Sequence, residues 1–285
     1  MTGLADLDGR SYGPFELAVE AGRVADFVAA TGDAAERWAS EAPPMFANVA
    51  LFAAAPAFLE DPEVVPYTRS LIHSEQTYEW SRAVGIGERL AVAGRIEGVR
   101  ARGPLNLVTF TIEAGGDAGS WLEGRAVFLM ADEAATASDD RPEPTVHERG
   151  PTDLLSTLPL PVEGEQLSPL ARSASRADLV RYAAATRDWN PIHWDHDAAR
   201  GAGLPGTVVH GLLMGAWMAT AAGRHTEGPH PLRTLRLRFR RPLSPGVAAA
   251  VTGRVDGVDD DGADVSLAVE ADGERLVTGS ARVTR

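Results

Sequence analysis

The chain has 285 residues, no cysteine, and 40 acidic against 27 basic residues, for a formal net charge of −13 at pH 7. That charge repels phosphate backbones and anionic lipids, which argues against nucleic acid or a membrane surface as a partner. The absence of cysteine excludes disulfides, thiol nucleophiles and thiolate metal sites. No signal peptide and no apolar run of about 20 residues is visible, so we expect a cytoplasmic protein.

The first elements along the chain are two predicted helices and four predicted strands. Residues 24–33 (VADFVAATGD) have apolar side chains at helical spacing. Residues 43–59 are apolar nearly all round, which is typical of a helix enclosed by other structure. The next segments alternate apolar and polar side chains between Gly, Asp and Pro turns, which indicates strands. Those segments are SEQTYEWSRAV, RLAVAGRIEGV, LNLVTFTIEA and SWLEGRAVFLM.

The same order of elements returns after a polar connection. Residues 131–166 are rich in proline, aspartate and glutamate and have no sustained period, which predicts a linker or a long surface connection. A short helix (RADLVRYAAAT) and an apolar helix at 208–223 follow. Four further strands complete this part: LRTLRLRFRRPL, AAVTGRVDGV, ADVSLAVEAD and RLVTGSARVT.

Two sequence matches at nearly the same offset indicate a duplicated domain. The motif VADFVAATGD aligns with LVRYAAATRD, which places Asp33 and Asp188 155 positions apart. A second alignment, of RAVGIGERLAVAGRIEGV with RPLSPGVAAAVTGRVDGV, places Gly94 and Gly253 159 positions apart. Because the matches are independent, we interpret the chain as two copies of one folding unit.

Composition and the repeat together predict the domain organisation. We predict an α+β domain at residues 1–135, a linker at 136–165 and a second α+β domain at 166–285. In each domain, a curved antiparallel sheet wraps around a long central helix. The two sheets can pair edge to edge into one continuous sheet, which makes the halves a pseudo-dimer and removes two exposed edges.

The densest cluster of reactive side chains follows the short helix of the second domain. Asp188, Asn190 and His193 lie around Pro191, which disfavours helix at the residue before it and predicts a turn. On such a turn a carboxylate and an imidazole can hold a water molecule and exchange protons with it, as hydration and dehydration require. Asp-x-Asn-Pro alone is also an ordinary turn sequence. The block that follows around residue 210 favours the catalytic interpretation.

The start of the second apolar helix supplies the next candidates. Gly211 would offer a backbone N–H, supported by the helix dipole, to a carbonyl oxygen that gains negative charge. Its neighbours Val209 and His210 are candidates for substrate contact. For His210, a packing role at the entry to the helix is at least as compatible with the sequence.

A run of histidine and aspartate, HWDHD at 193–197, has the residue types of a zinc or non-haem metal site. Adjacent residues on an extended stretch point apart, which makes it difficult for them to share one ion. We therefore predict that the protein binds no metal, with a metal site as the lesser alternative.

Both chemical blocks resemble a known family. The segments 188–193 (DWNPIH) and 208–211 (VVHG) resemble the MaoC-like R-specific enoyl-thioester hydratases and dehydratases, which have the hot-dog fold. The segments 42–46 (APPMF) and 73–80 (HSEQTYEW) resemble the N-terminal dehydratase domain of two-domain members and of mycobacterial two-subunit (3R)-hydroxyacyl-ACP dehydratases. The resemblance implies a double hot-dog protein that joins both subunits in one polypeptide.

The resemblance implies roles for individual residues. Asp188 and His193 would activate water, Asn190 would support them, and the Gly211 N–H would bind the thioester carbonyl. The implied reaction is reversible hydration of trans-2-enoyl thioesters, or dehydration of (3R)-3-hydroxyacyl thioesters, on coenzyme A or acyl carrier protein. No cofactor is implied, and a homodimer is a further partner to consider. The alternatives are a hot-dog acyl-thioesterase and a non-catalytic acyl-thioester-binding protein.

A basic stripe lies on the first strand after the second apolar helix. Arg236, Arg238 and Arg240 fall on one face of this strand, and the apolar residues between them fall on the other. The stripe would suit the phosphates of coenzyme A or the acidic surface of an acyl carrier protein. A solvated strand face explains the same pattern equally well.

The repeat predicts which half is silent. Asp33 matches Asp188, but Trp38 occupies the position that corresponds to His193. Without an imidazole the first half lacks a partner for the water, so we predict that it does not catalyse. By the resemblance, it completes the sheet and shapes a cavity for the acyl chain.

Overall fold

The computed structural model describes residues 3–133, 158–226, 228 and 230–284. The elements of the first half are β1 (Ser11–Ala18), α1 (Ala21–Thr31), β2 (Glu41–Ala42), α2 (Ala47–Leu59), β3 (Ser70–Trp80), β4 (Val84–Gly85), β5 (Arg89–Arg102), β6 (Leu105–Gly116) and β7 (Gly119–Ala131). Those of the second half are β8 (Leu170–Arg172), α3 (Arg176–Thr186), α4 (His196–Gly201), α5 (Gly211–Gly223), β9 (Leu232–Phe239), β10 (Ala249–Val258), β11 (Gly262–Ala271) and β12 (Glu274–Thr284).

In the described part of the chain, ten strands form one antiparallel sheet. Their order is β1-β5-β6-β7-β3-β9-β12-β11-β10-β8. The two halves meet where β3 pairs with β9, with Tyr78 opposite Leu235 and Glu75 opposite Arg238. The predicted edge-to-edge pairing and the α+β class are therefore confirmed, and pairing of these two strands leaves neither as an exposed edge.

Each half contributes five strands to this sheet, whereas the sequence predicted four. The missed strands, β1 and β8, lie at the two outer edges. The alternation in β1 is interrupted at Gly13 and Pro14, and its register against β5 shifts between Tyr12 and Phe15. In β8 only three residues pair, too few to produce a pattern.

The central helices α2 and α5 lie against the concave face of the sheet. Nearly every residue of α5 is buried, as an all-round apolar helix requires. At Gly215 the helix approaches β9 so closely that a Cβ atom would lie 2.5 Å from Cδ1 of Leu237. A glycine here lets the helix axis come closer to the sheet than a side chain would allow.

The short helices α1 and α3 are equivalent elements and pack on each other across the two halves. Both have eleven residues, and each ends at a residue in the left-handed conformation, Gly32 and Arg187 respectively. The rings of Phe27 and Tyr182 lie 6.2 Å apart between them. The duplication that the sequence indicates is thus present in the structure.

The predicted linker is only partly described. Residues 136–157 lie outside the described residues, and the stretch 158–165 runs along the second half. The Leu158 N–H donates to the carbonyl of Arg224, and the Gly164 N–H donates to that of Val255, each over 2.8 Å. Among the described helices, none combines the length and the apolar character that crossing a membrane requires.

Candidate active site

The end of α3 turns the chain back so that Asp188 is buried. The Thr186 hydroxyl donates to the carbonyl of Tyr182 over 2.7 Å and accepts the Asp188 N–H over 3.2 Å. Arg187, between them, adopts the left-handed conformation that ends the helix. The backbone of Asp188 is consequently held directly after the last turn of α3.

The next residues form a single 3₁₀ turn, Pro191–His193. Asn190 precedes this turn, and its side-chain oxygen accepts the Ile192 N–H over 3.3 Å, while its own N–H donates to Asp188 Oδ1 over 3.4 Å. Pro191 suits the first position because its φ is already helical and its missing N–H has no role there. The turn carries Asp188 and His193 to the same place, as the sequence predicted.

Three buried side chains converge at this turn: Asp188, His193 and His210. One potential ligand atom from each lies within 4.8 Å of the others. The imidazoles of His193 and His210 are stacked, with centroids 3.7 Å apart and planes inclined by 21°. Asp188 and His193 are each 8% exposed, so both are nearly enclosed but not sealed.

Backbone carbonyls fix the tautomers of the two histidines. Nδ1 of His193 lies 2.8 Å from the carbonyl oxygen of Val208, which can only accept, so Nδ1 carries the proton and Nε2 has the free lone pair. Nε2 of His210 lies 3.4 Å from the carbonyl oxygen of Asp188. Nδ1 of His210 is buried without a partner among the described residues.

Burial shifts the pKa values of the three groups in the directions that disfavour charge. It raises the pKa of Asp188 to about 7, against a smaller opposite effect of the Asn190 N–H. It lowers the pKa of His193 to about 4. Burial and the neighbouring His193 lower the pKa of His210 well below its usual value. Near neutral pH the histidines are therefore uncharged, and Asp188 is close to half-protonated.

Gly211 is the first residue of α5 and follows His210 directly. Its N–H has no partner within the helix, because the first N–H groups of a helix lack one. The positive end of the helix dipole adds to this donor. A Cβ atom at this position would lie 3.0 Å from two ring atoms of Phe239, so glycine fits closely here.

The remaining predicted site residues are Val209 and the three arginines, and none of them belongs to the group formed by Asp188, His193 and His210. Val209 is buried in the core, and its N–H donates to the carbonyl of Leu243 over 2.8 Å. Arg236 and Arg238 of β9 lie on the outer face of the sheet, because the residues between them face α5 on the inner face, and Arg240 directly follows the strand. The structure therefore does not bring Arg236, Arg238 and Arg240 to the turn that holds Asp188 and His193, and their substrate contact stays a prediction.

Two of these arginines have partners on the outer face. Arg238 lies 3.7 Å from Glu75, across the pairing of β3 with β9. The Arg240 guanidinium donates to the Thr278 hydroxyl over 2.9 Å. Both arginines and Glu75 are exposed, so these contacts are solvated.

The equivalent turn of the first half has lost the imidazole. Its 3₁₀ turn ends at Trp38, and the indole N–H donates to Asp33 Oδ2 over 3.0 Å. Burial raises the pKa of Asp33, as it does that of Asp188. An indole donates a hydrogen bond but cannot take up a proton, so this turn lacks an acid–base pair. The cavity beside it has a volume of about 10 Å³, enough for about one water.

The run 193–197 does not converge as a metal site. Asp195 caps α4 by accepting the Ala198 N–H over 3.0 Å, and His196 packs against Gly206. The triad at the turn has donor types that suit Zn²⁺ or non-haem iron. The prediction of no metal remains a prediction.

A buried polar chain beside the triad escaped the sequence analysis. In α2, Asn48 donates its amide N–H to the Tyr182 hydroxyl over 2.8 Å and accepts the Tyr78 hydroxyl over 2.9 Å. One signal was visible, because Asn48 is the only strongly polar side chain in the apolar stretch 43–59. Its partners are distant in sequence, so only the fold reveals the contact.

Fold and site together define a class: a double hot-dog protein in which one of two equivalent turns holds a buried carboxylate beside a buried imidazole. Family models match both halves. The MaoC-like domain matches residues 159–274, and the FAS1-like dehydratase domain region matches residues 6–119. The chain thus joins a FAS1-like dehydratase domain region to a MaoC-like domain.

Named relatives are similar over long stretches. The 3-hydroxyacyl-thioester dehydratase X of Mycobacterium tuberculosis is 25% identical over 279 residues, which are 97% of this chain and 90% of that protein. The (R)-specific enoyl-CoA hydratase of Rhodospirillum rubrum is 28% identical over 97 residues, 34% of this chain and 67% of the hydratase. A solved MaoC-like dehydratase structure is similar in fold, with a TM-score of 0.82 at 21% identity over 99% of each chain.

Proposed function

We propose that the protein catalyses reversible hydration of trans-2-enoyl thioesters to (3R)-3-hydroxyacyl thioesters. The observation that carries this proposal is the buried pair of Asp188 and His193 on one turn, beside the free N–H of Gly211. Dehydratase and hydratase activities in the names of two relatives support the same reaction and its R stereochemistry.

The mechanism starts with one catalytic proton, which Asp188 carries, while Nε2 of His193 is unprotonated. His193 presents an unprotonated Nε2, which takes a proton from water as the water oxygen bonds to C3. Asp188, with its raised pKa, gives its proton to C2. The water oxygen becomes the 3-hydroxyl, and one proton then passes from His193 back to Asp188. Dehydration follows the same steps in reverse.

The Gly211 N–H would stabilise the charge that develops on the thioester oxygen while C2 awaits its proton. Removing one such donor commonly costs about 10²–10³-fold in rate. Asn190 contributes indirectly, because it caps the turn and orients Asp188. His210 would keep the His193 ring in place by stacking.

A further part of the proposal concerns the carrier to which the acyl group is attached. We infer that the acyl group arrives on coenzyme A or on an acyl carrier protein, both of which present anionic groups. Arg236, Arg238 and Arg240 form the exposed basic stripe that suits either. They would contact the carrier from the outer face and not the reacting carbons.

The test follows the absorbance of the enoyl-thioester band of crotonyl-CoA, with a thiol reagent in a parallel sample. We expect loss of the band without free thiol, and a loss of activity of at least about 10³-fold in Asp188→Asn and His193→Ala. The matched control is Asp33→Asn, which makes the same change in the equivalent turn and should retain full activity.

Other outcomes would contradict the proposal. Release of free thiol would identify a thioesterase. Absence of any reaction with crotonyl-CoA, longer enoyl-CoA and enoyl-ACP alike would indicate a binding protein. Full activity in both site variants would place the chemistry elsewhere.

A further inference from the structure

A hydrogen-bonded chain of three buried side chains runs from the silent half to the catalytic turn. The Tyr78 hydroxyl donates to Oδ1 of Asn48 over 2.9 Å, and Nδ2 of Asn48 donates to the Tyr182 hydroxyl over 2.8 Å. All three side chains are fully buried. Because each donor points the same way, the last group, Tyr182, retains its own proton to donate.

The Tyr182 ring lies beside the catalytic triad. Its centroid is 4.8 Å from that of His210. Burial, with a further contribution from the charge of Asp188, raises the pKa of Tyr182 well above its usual value, so the hydroxyl stays protonated. Within the described ranges, no group accepts this proton. A buried hydroxyl proton without an acceptor is unusual in a folded protein and is well suited to a ligand.

The same chain places this hydroxyl near the start of α5. The Asn48 amide also lies 3.5 Å from the carbonyl oxygen of Leu212, which directly follows Gly211. Asn48 therefore links the Tyr182 hydroxyl to the helix turn that offers the free N–H.

The equivalent positions around the first-half turn, contributed by both halves, are all apolar. Equivalent helices and strands of the two halves can be aligned by their ends. In this alignment, each of the three hydrogen-bonded residues matches a residue whose side chain cannot form hydrogen bonds. The counterparts of Tyr182, Asn48 and Tyr78 are Phe27, Leu212 and Leu237, respectively. The polar chain thus accompanies the histidine: both are present at one turn and absent at the other.

We propose that the Tyr182 hydroxyl is a second hydrogen-bond donor to the thioester carbonyl of the substrate, with Asn48 and Tyr78 as positioning residues supplied by the first half. The proposal rests on the hydratase function proposed above. This proposal gives the silent half a direct influence on the chemistry. Asn48 donates to the oxygen of the Tyr182 hydroxyl, so the proton of that hydroxyl is directed away from Asn48 and is available to the substrate.

The first experiment measures kcat and KM for crotonyl-CoA hydration. Tyr182→Phe, which installs the residue of the silent half, should lower kcat about 10–100-fold and change KM by less than about threefold. Asn48→Asp should act similarly, because a carboxylate would accept the Tyr182 proton. The hydrogen bond between residues 48 and 182 would then run in the opposite direction, and the proton would no longer be available to the substrate. The matched control is Tyr12→Phe in the outer strand β1. It removes a hydroxyl that donates to Asp61, and it should leave kcat unchanged.

The second experiment separates hydrogen bonding to substrate from a structural effect. Crotonyl-CoA bound to His193→Ala, which should bind without turnover, is examined by vibrational spectroscopy of its thioester carbonyl. Adding Tyr182→Phe should move the carbonyl stretch back toward its value in water. Thermal melts establish that each variant is folded, and Asn48→Asp replaces Tyr182→Phe if the latter does not fold.

The outcomes distinguish the two proposals. If the native enzyme hydrates crotonyl-CoA but Tyr182→Phe keeps its kcat, the role of Tyr182 is overturned and the function stands. A loss of kcat without any change in the carbonyl stretch overturns it as well, because the tyrosine would then be structural. If the native enzyme hydrates no enoyl thioester, the proposed function itself fails.

Discussion

Asp188 and Asp33 follow equivalent helices, yet their neighbours give them different chemistry. Each is buried, and burial raises the pKa of each. Asp33 accepts a hydrogen bond from the indole of Trp38, whereas Asp188 lies beside an imidazole with a free nitrogen. The side chain beside each carboxylate therefore distinguishes two otherwise similar turns.

The pH dependence of the rate follows from the states of the pair. In the proposed mechanism, hydration needs neutral His193 and protonated Asp188. We expect kcat/KM to fall as pH rises through about 7, where Asp188 loses its proton, and to fall again as pH drops through about 4, where His193 gains one. Buffered initial rates from pH 4 to 9 measure both limbs.

The control for this profile is Asp33→Asn, whose alkaline limb should match that of the native enzyme. A rate that rises between pH 6 and 8 would reverse the assignment, making Asp188 the base and His193 the acid.

At the scale of elements, helix α5 contributes two groups to the site. Its first residue supplies the free N–H, and the preceding residue stacks on His193. Its middle is held against β9 by the close approach at Gly215. The position of the helix along the sheet therefore fixes the distance between the N–H and the catalytic turn.

Gly215→Ala should destabilise the protein because the added methyl would meet Leu237 at 2.5 Å. We expect a loss of about 1–3 kcal/mol in the free energy of unfolding, measured with urea. Gly22→Ala in α1 is the control: nothing lies within 4 Å of its Cβ position, and alanine favours helix there. Equal stabilities for the two variants would show that α5 can shift without cost.

Most of these elements were visible in the sequence, and the reasons for the exceptions are physical. Helix α3 ends at Thr186 as its motif predicted, because its apolar period and its Ser175 cap agree. Helix α4 was missed because its six residues are too few to show a period. The catalytic turn was predictable because its residues are neighbours in sequence. The polar chain was not, because Asn48 and Tyr182 are 134 positions apart and meet only after folding.

At the scale of the whole molecule, charge is distributed unevenly. The chain carries a formal net charge of −13, yet the outer face of β9 presents exposed arginines near the middle of the sheet. A local basic stripe on an acidic protein would guide an anionic carrier while the remaining surface repels it.

Replacing Arg236, Arg238 and Arg240 together with serine tests this role. If the stripe binds the carrier, KM for enoyl-CoA or enoyl-ACP should rise about tenfold, kcat should stay constant, and the dependence of KM on salt should weaken. Steady-state kinetics at low and high salt measure all three. The control removes three exposed arginines from β5: Arg95, Arg100 and Arg102. An unchanged KM would identify a solvated face.

The pairing of β3 with β9 joins two folding units within one polypeptide, and this has a consequence for specialisation. When two identical subunits pair in this way, symmetry obliges every substitution to appear twice, once at each turn. A single chain is free of that obligation. One copy can hold the reactive groups while the other supplies Asn48 and Tyr78 from behind, and each can change alone. On the proposed assignment of roles, the stoichiometry is one turnover centre for every two hot-dog units.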